Sequence, residues 1–174
     1  LSSARDNGPF AAILDGDRGW PCSGTLQYCE DDYHSMANLE CSLSGTPLSG
    51  TGTCQFCGAA EKAQILVQGG IDFVTLANNH TLDFGQTGLD NTKAVLDGAG
   101  VACAGPNESY VYSRDDGPTV GLYAARRTAG EPELRQGVSA LAQRADIDLV
   151  ICLMHRGTDG SYRVTAGQEP PRRP

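Results

Sequence analysis

The chain has 174 residues, 40% of them hydrophobic and 20% charged, and a formal net charge of −8 at pH 7. This length and apolar content suffice for the core of one globular domain and differ from those of a disordered chain. The negative charge gives no support for binding nucleic acid or an anionic membrane surface. No apolar run approaches the roughly 20 residues that a membrane-spanning helix requires, so the sequence predicts no transmembrane segment.

The predicted elements alternate between helices and strands after an irregular first third. Residues 1–57, rich in Gly, Ser, Asp and Cys, are predicted to be irregular apart from a short strand over 33–37. Beyond them, apolar residues that recur every three or four positions predict helices over 61–68, 87–99 and 133–145. Short apolar runs predict strands over 71–77, 101–104, 119–125 and 147–154, with a loop or hairpin over 107–118. Helices of this length between strands indicate βαβ units and a largely parallel sheet.

Polar side chains gather just after the predicted strand 71–77, where Asn78, Asn79, His80 and Asp83 follow one another closely. Burying such groups unpaired costs roughly 2–7 kcal/mol each, so they must be hydrogen-bonded, metal-bound or reactive. In open α/β sheets the crevice outside the carboxyl ends of the strands is where ligands bind. Asp83 is placed to accept a ring proton from His80 and orient it, although a turn or helix-capping role explains Asp83 equally well.

A second histidine, His155, follows the predicted strand 147–154 as His80 follows 71–77, and each strand begins with Ile-Asp. If the two strands are parallel neighbours, both histidines lie at the same edge of one sheet. Glu40, in the tripeptide Asn-Leu-Glu, would be a solvated loop residue if considered alone. Together Glu40, Asn79, His80 and His155 offer carboxylate, amide and imidazole donors that suit Mn, Fe, Zn or Mg. Such an ion polarises phosphoryl or acyl oxygens, while a histidine protonates the leaving group.

Other kinds of site are less well supported. The seven cysteines are an odd number, so at least one is unpaired. Cys54 and Cys57 form the only close pair, which is a weak signal because a zinc site needs further ligands. Cys103 and Cys152 lie in apolar runs and are expected to be small buried hydrophobic residues. The chain also lacks the G-x-S-x-G, G-x-x-x-x-G-K-[ST] and G-x-G-x-x-G motifs, which argues against a serine hydrolase and against nucleotide binding by those loops.

Four segments carry a resemblance to a known family: ANLECSLSG, FCGAAEKAQILVQGGIDFVTLANNHTLDFGQTGLDNTKAVLDGAGVACAG, VGLYA and DLVICLMHRGTDGSY. They resemble the bacterial capsule synthesis CapA family of poly-γ-glutamate biosynthesis. The resemblance covers residues 31–168, between an irregular segment 1–30 and an atypical tail 169–174. It predicts a single partial domain over 1–174, because the Gly-Asp strand end and the Gly-His-His-Pro-His segment of the family are missing. The family's usual tryptophan after the strand-end histidine is Arg156 here, and a usual arginine is Cys57.

The resemblance implies a fold similar to the calcineurin-like metallophosphoesterases, a layered α/β sandwich that is incomplete here. Carried over by position, it implies Glu40, Asn79 and His155 as ligands of a divalent metal ion. His80, with Asp83 beside it, would contact the phosphate or the leaving group.

The resemblance also implies a place and partners. We expect a protein of capsule biosynthesis at the cell envelope or extracellular face of a bacterium, with poly-γ-glutamate and other capsule-synthesis membrane proteins as partners. We expect no leader or anchor within these 174 residues. If active, it would be a metal-dependent hydrolase or transferase. The alternative is a catalytically inactive binding or assembly component of the same polymer machinery.

Overall fold

Two three-stranded sheets form the centre of the molecule in the computed structural model, which describes residues 9–50, 55–126 and 128–156. The strands are β1 (Met36–Asn38), β2 (Ser42–Ser44), β3 (Cys57–Ala59), β4 (Phe73–Thr75), β5 (Ala102–Ala104), β6 (Glu108–Tyr112), β7 (Val120–Ala125) and β8 (Leu149–Met154). The α-helices are α1 (Pro9–Gly16), α2 (Leu26–Cys29), α3 (Ala63–Gln68), α4 (Gly85–Ala99) and α5 (Glu131–Ala142). The predicted tail 169–174 lies outside the described residues.

The two sheets differ in strand direction. The first has the order β1-β4-β5 with all strands parallel. The second has the order β6-β7-β8, in which β7 and β8 are parallel and β6 is antiparallel to β7. A separate parallel pair joins β2 to β3. The parallel strands end at a common edge, and this carboxyl edge holds the candidate site described below.

The two faces of the first sheet pack against different layers of the molecule. Phe73 and Ala77 pack in one cluster with Leu122 of β7, whereas Val74 packs in another with Leu96 of α4. Because successive side chains of a strand point to opposite faces, one face of the first sheet lies against the second sheet and the other against helices.

The second sheet repeats this arrangement. On its outer face Tyr123 and Ala125 of β7 pack with Leu141 of α5. The layers are therefore helix, sheet, sheet and helix, which confirms the predicted layered α/β sandwich.

The helix α4 shows how closely sequence and structure agree where the pattern is strong. Its residues Leu89, Thr92 and Leu96 are buried on one face, as the three-four spacing predicts. Gly100 ends the helix in the left-handed region at φ 76°, a conformation that glycine adopts without steric cost. At 15 residues, α4 is the longest helix of the described chain, and no helix there has the length and apolar content to cross a bilayer.

The first third of the chain is more regular than predicted. Residues 9–16 and 26–29 are helical, Trp20–Cys22 forms a 3₁₀ turn, and residues 42–44 form the buried strand β2. Leu14 is the buried anchor of α1. The backbone partners of β2 lie in residues 57–59, and α4 packs against it. The strand β2 depends on these distant contacts, so local composition does not reveal it.

We considered that the strands before His80 and His155 are parallel neighbours in one sheet, and this prediction is wrong. β4 belongs to the first sheet and β8 to the second. The reason is β6, which pairs antiparallel with β7 and so begins a separate sheet instead of extending the first one. The two histidines therefore reach the carboxyl edge from sheets that face each other.

Candidate functional site

Two pockets open at the carboxyl edge. The first, called here the His155 pocket, lies between β1 and β8, has a volume of about 260 Å³ and is lined by Asn38, Thr75, Met154 and His155 among others. The second is called here the Arg126 pocket. It has a volume of about 450 Å³ and lies among the segments that follow β4, β5 and β7. Asn78 and Asn79 line the Arg126 pocket, so the turn after β4 faces it.

Glu40 and His155 meet across the two sheets. Glu40 follows β1 and His155 directly follows β8, and Nε2 of His155 lies 3.4 Å from Oε1 of Glu40. The Glu40 side chain is 39% exposed and that of His155 is 33% exposed, so the pair is partly open to solvent, and His155 lines the His155 pocket. The structure thus brings together two of the three predicted metal ligands.

His80 and Asp83 form a second pair within the turn after β4. Nδ1 of His80 lies 2.9 Å from Oδ2 of Asp83, and both side chains are mostly buried. The same carboxylate oxygen accepts the backbone N–H of Phe56 at 2.9 Å. Because the carboxylate accepts, Nδ1 carries the ring proton and Nε2 is the ring's available acceptor. The Phe56 ring packs against the imidazole with centroids 4.3 Å apart.

The alternative capping role of Asp83 does not apply. The N-cap of α4 is Phe84, without a side-chain capping bond, and the positive φ of 64° at Gly85 turns the chain into the helix. The carboxylate of Asp83 instead holds His80 and the backbone of Phe56.

A buried asparagine links the two pairs. The side chain of Asn78 donates to the backbone oxygen of Leu39 at 2.9 Å and to Oδ1 of Asn38 at 3.0 Å. Its own Oδ1 accepts the backbone N–H of His80 at 3.0 Å. Asn38 in turn donates to Oε2 of Glu40 at 3.3 Å. A continuous series of hydrogen bonds therefore runs from Glu40 to His80.

Sequence reasoning did not single out Asn38 or Asn78 as links in this series. Asn38 is close in the sequence to the predicted ligand Glu40, and Asn78 directly precedes the predicted ligand Asn79. Nothing in the sequence distinguishes the amide group of Asn78 from that of Asn79. The distinguishing signal is burial. Both residues line the Arg126 pocket, but Asn78 is only 7% exposed, whereas Asn79 is half-buried.

The side chains at the carboxyl edge offer the types of donor atom that a divalent ion binds, but they are too few for a complete site. Among the described residues, no group of three or more His, Cys, Asp and Glu side chains is arranged to hold a metal. Glu40 and His155 supply one carboxylate and one imidazole in contact, which are donors that borderline divalent ions accept. Catalytic zinc sites have three protein ligands, so amide oxygens or water would complete the set. Asn79 stays a predicted third ligand.

The cysteines stand apart from this site. Among the described cysteines, Cys22, Cys29, Cys41, Cys103 and Cys152 are free thiols. Cys103 and Cys152 are half-buried, and burial raises the pKa of both thiols. This is the behaviour of packing residues more than of reactive ones.

The comparison with known proteins gives one clear result. Residues 9–115, more than half of the chain, match the family model described as bacterial capsule synthesis protein PGA_cap. The matched region contains Glu40, Asn79, His80 and Asp83, and it ends before Arg126 and His155. No curated protein gives a significant match to the chain.

Proposed function

This chain belongs to the family of bacterial capsule synthesis proteins, and from that premise we propose that it acts on poly-γ-glutamate as a metal-dependent hydrolase or transferase. The reacting groups would lie at the carboxyl edge of the two sheets. The family membership also supports a place at the cell envelope or extracellular face of a bacterium, with other capsule-synthesis membrane proteins as partners.

The observation that carries the proposal is the contact between Glu40 and His155. A carboxylate and an imidazole that are far apart in the sequence lie 3.4 Å from each other, next to a pocket and partly open to solvent. We assign these two side chains, with Asn79 as a third, to a divalent ion such as Mn²⁺. A bound ion of this kind would polarise a phosphoryl or acyl oxygen and activate water.

His80 would move the proton. Its Nδ1–H is held by Asp83, and its backbone N–H is held by Asn78. These bonds fix the ring's position and leave Nε2 to exchange a proton with the leaving group. A positioned histidine in this role contributes typically about 10²–10⁴-fold to the rate.

Calorimetry with Mn²⁺ tests the metal assignment. We expect the wild-type chain to bind one ion, and Glu40→Gln and His155→Gln each to weaken binding by about tenfold or more, as loss of ligands or their partners does. Glu30→Gln, which changes an exposed glutamate on the α2 side of the molecule, is the matched control and should bind like wild type. Equal affinity in the His155 variant would overturn the assignment.

Activity is tested separately with γ-linked glutamate oligomers and with a phosphodiester, each with and without Mn²⁺. We expect metal-dependent turnover of one substrate class and its loss in His80→Asn. Metal binding and oligomer binding without turnover of either class would contradict the proposed hydrolase or transferase and support the binding or assembly component instead.

A further inference from the structure

The Arg126 pocket has the size and wall chemistry of a ligand site. Its volume of about 450 Å³ lies within the range of roughly 300–1,000 Å³ that small-molecule pockets occupy. The lining residues include Asn79, Gln86, Arg126 and Thr128, whose side chains carry amide, guanidinium and hydroxyl groups. Gln86 also bonds to Asp90 through its amide nitrogen at 2.8 Å.

Arg126 is held in place by an asparagine with an unusual backbone. Asn107 has φ 63° and is the one described non-glycine residue with positive φ. Its N–H donates to the backbone oxygen of Ala124 at 2.7 Å, and its Oδ1 accepts the backbone N–H of Arg126 at 3.0 Å. The hydroxyl group of Tyr123 also donates to this oxygen, at 3.3 Å. A strained backbone persists only where its surroundings fix it, so this turn presents Arg126 from a rigid base.

The acidic groups around the pocket already have partners. Glu108 forms an ion pair with Lys93 and accepts the N–H of Gly105 at 2.9 Å. Glu133 accepts the side-chain amide of Asn107 at 2.5 Å. Its carboxylate lies 3.6 Å from one terminal nitrogen of Arg126, whose side chain is 55% exposed. Arginine has five N–H donors in a planar fork, and among the described residues the Arg126 guanidinium group forms an ion pair with Glu133 alone. Within that part of the chain, most of its donors remain available to a ligand.

We propose that the Arg126 pocket is an anion-binding subsite, in which the guanidinium group of Arg126 receives a carboxylate or phosphate group of the substrate and the side chains of Gln86 and Thr128 add hydrogen bonds. The subsite rests on the proposed function in one respect, that the anion belongs to the substrate of the neighbouring His80. Since the chain carries a net charge of −8, its overall field repels an anion. The guanidinium group of Arg126 is a local positive charge that can bind a carboxylate or phosphate group through two hydrogen bonds, and it would offset this repulsion.

The test measures anion binding by the full chain in EDTA, so that no metal contributes. The probes are a γ-linked glutamate trimer, its fully amidated neutral analogue and inorganic phosphate. We expect an anionic probe to bind to the wild-type chain and to bind about tenfold or more weakly to Arg126→Gln, because charge-assisted hydrogen bonds are lost. The neutral analogue should bind equally weakly to both. Whichever anion binds more tightly identifies the source of the charge.

Two controls make the result specific. Arg144→Gln removes an exposed arginine that is paired with Asp146 after α5, and it should leave anion binding unchanged. The EDTA is the second control: because no metal takes part in the assay, failure of the metal assignment would not affect this test. Equal anion affinity in the wild-type chain and in Arg126→Gln would overturn the subsite.

Discussion

The imidazole of His34 stacks on the ring of Tyr112, with centroids 3.7 Å apart and an angle of 21° between the planes. The His34 side chain is only 6% exposed, and neither ring nitrogen has a hydrogen-bond partner in the described part of the chain. Nδ1 lies 3.6 Å from the carboxylate of Asp72. Burial lowers the pKa of His34, and this effect outweighs the opposing charges of Asp72 and Asp32.

The first prediction is a loss of stability in mild acid that depends on His34. In the unfolded chain a histidine has a pKa of about 6.5, and in the folded chain the pKa of His34 is lower. The unfolded state therefore binds more protons between the two values, so this contribution is complete above about pH 6.5 and is lost as the pH falls toward the folded pKa. Urea unfolding of wild type and His34→Phe between pH 8 and pH 5 measures it. The variant keeps the stacked ring and should show a smaller decrease; identical pH profiles would contradict the prediction.

The second prediction concerns the buried hydroxyl group that joins α4 to β2. Oγ1 of Thr92 accepts the N–H of Leu43 at 2.9 Å and donates to the oxygen of Gly88 at 2.7 Å. Thr92→Val keeps the shape of the side chain but leaves the Leu43 N–H buried without a partner, which should lower the free energy of unfolding by about 1–3 kcal/mol. Thr87→Val, at an exposed position of the same helix, should change it by less than about 0.5 kcal/mol. If chemical denaturation gave the same loss of stability for Thr92→Val and Thr87→Val, the buried hydrogen bond would not contribute as predicted.

Whether a feature could be predicted from the sequence depends on how far apart in the chain its interacting residues lie. The helix α4 and the pairing of His80 with Asp83 depend on residues within a few positions of each other, and their spacing alone indicates them. The strand β2 and the separation of β4 from β8 into two sheets depend on backbone pairing between distant segments. Local pattern cannot decide such pairing because every short apolar run is a compatible partner.

The same reasoning applies within the candidate site. The contact of Glu40 with His155 is realised only when the two sheets face each other. The sequence could therefore place both residues in one set of donors but could not predict that they touch. The distinct positions of Asn78 and Asn79 are set by one turn after β4. The hydroxyl group of Thr81 closes that turn by bonding to the backbone oxygens of Leu76 and Asn78.

The third prediction separates the two adjacent asparagines. Asn78→Ala removes the donor to Leu39, the contact with Asn38 and the acceptor for the N–H of His80. Each buried group left unpaired costs about 1–3 kcal/mol, so the free energy of unfolding should fall by at least that amount. Asn79→Ala is the matched control. Because Asn79 is half-buried in the wall of the Arg126 pocket, this variant should change the free energy of unfolding by less than about 1 kcal/mol. It should also weaken the binding of Mn²⁺. A greater loss of stability in the Asn79 variant would contradict this assignment.

The fourth prediction concerns the carboxylate that orients His80. Oδ2 of Asp83 accepts both the ring proton of His80 and the N–H of Phe56. Asp83→Ala leaves these donors without their acceptor and should lower the free energy of unfolding by about 1–3 kcal/mol. Asp83→Asn retains an acceptor oxygen, so it should be more stable than the alanine variant while losing the negative charge.

Nitrogen NMR of the histidine rings gives a measurement that is independent of activity. In the wild-type chain the His80 ring should be the Nδ1–H tautomer, because the carboxylate of Asp83 accepts that proton. In Asp83→Ala we expect a mixture of tautomers, and any turnover that depends on His80 should fall by about 10²-fold or more, as it does when a positioned acid–base group is lost. An unchanged tautomer in the alanine variant would mean that Phe56 packing, and not Asp83, holds the imidazole.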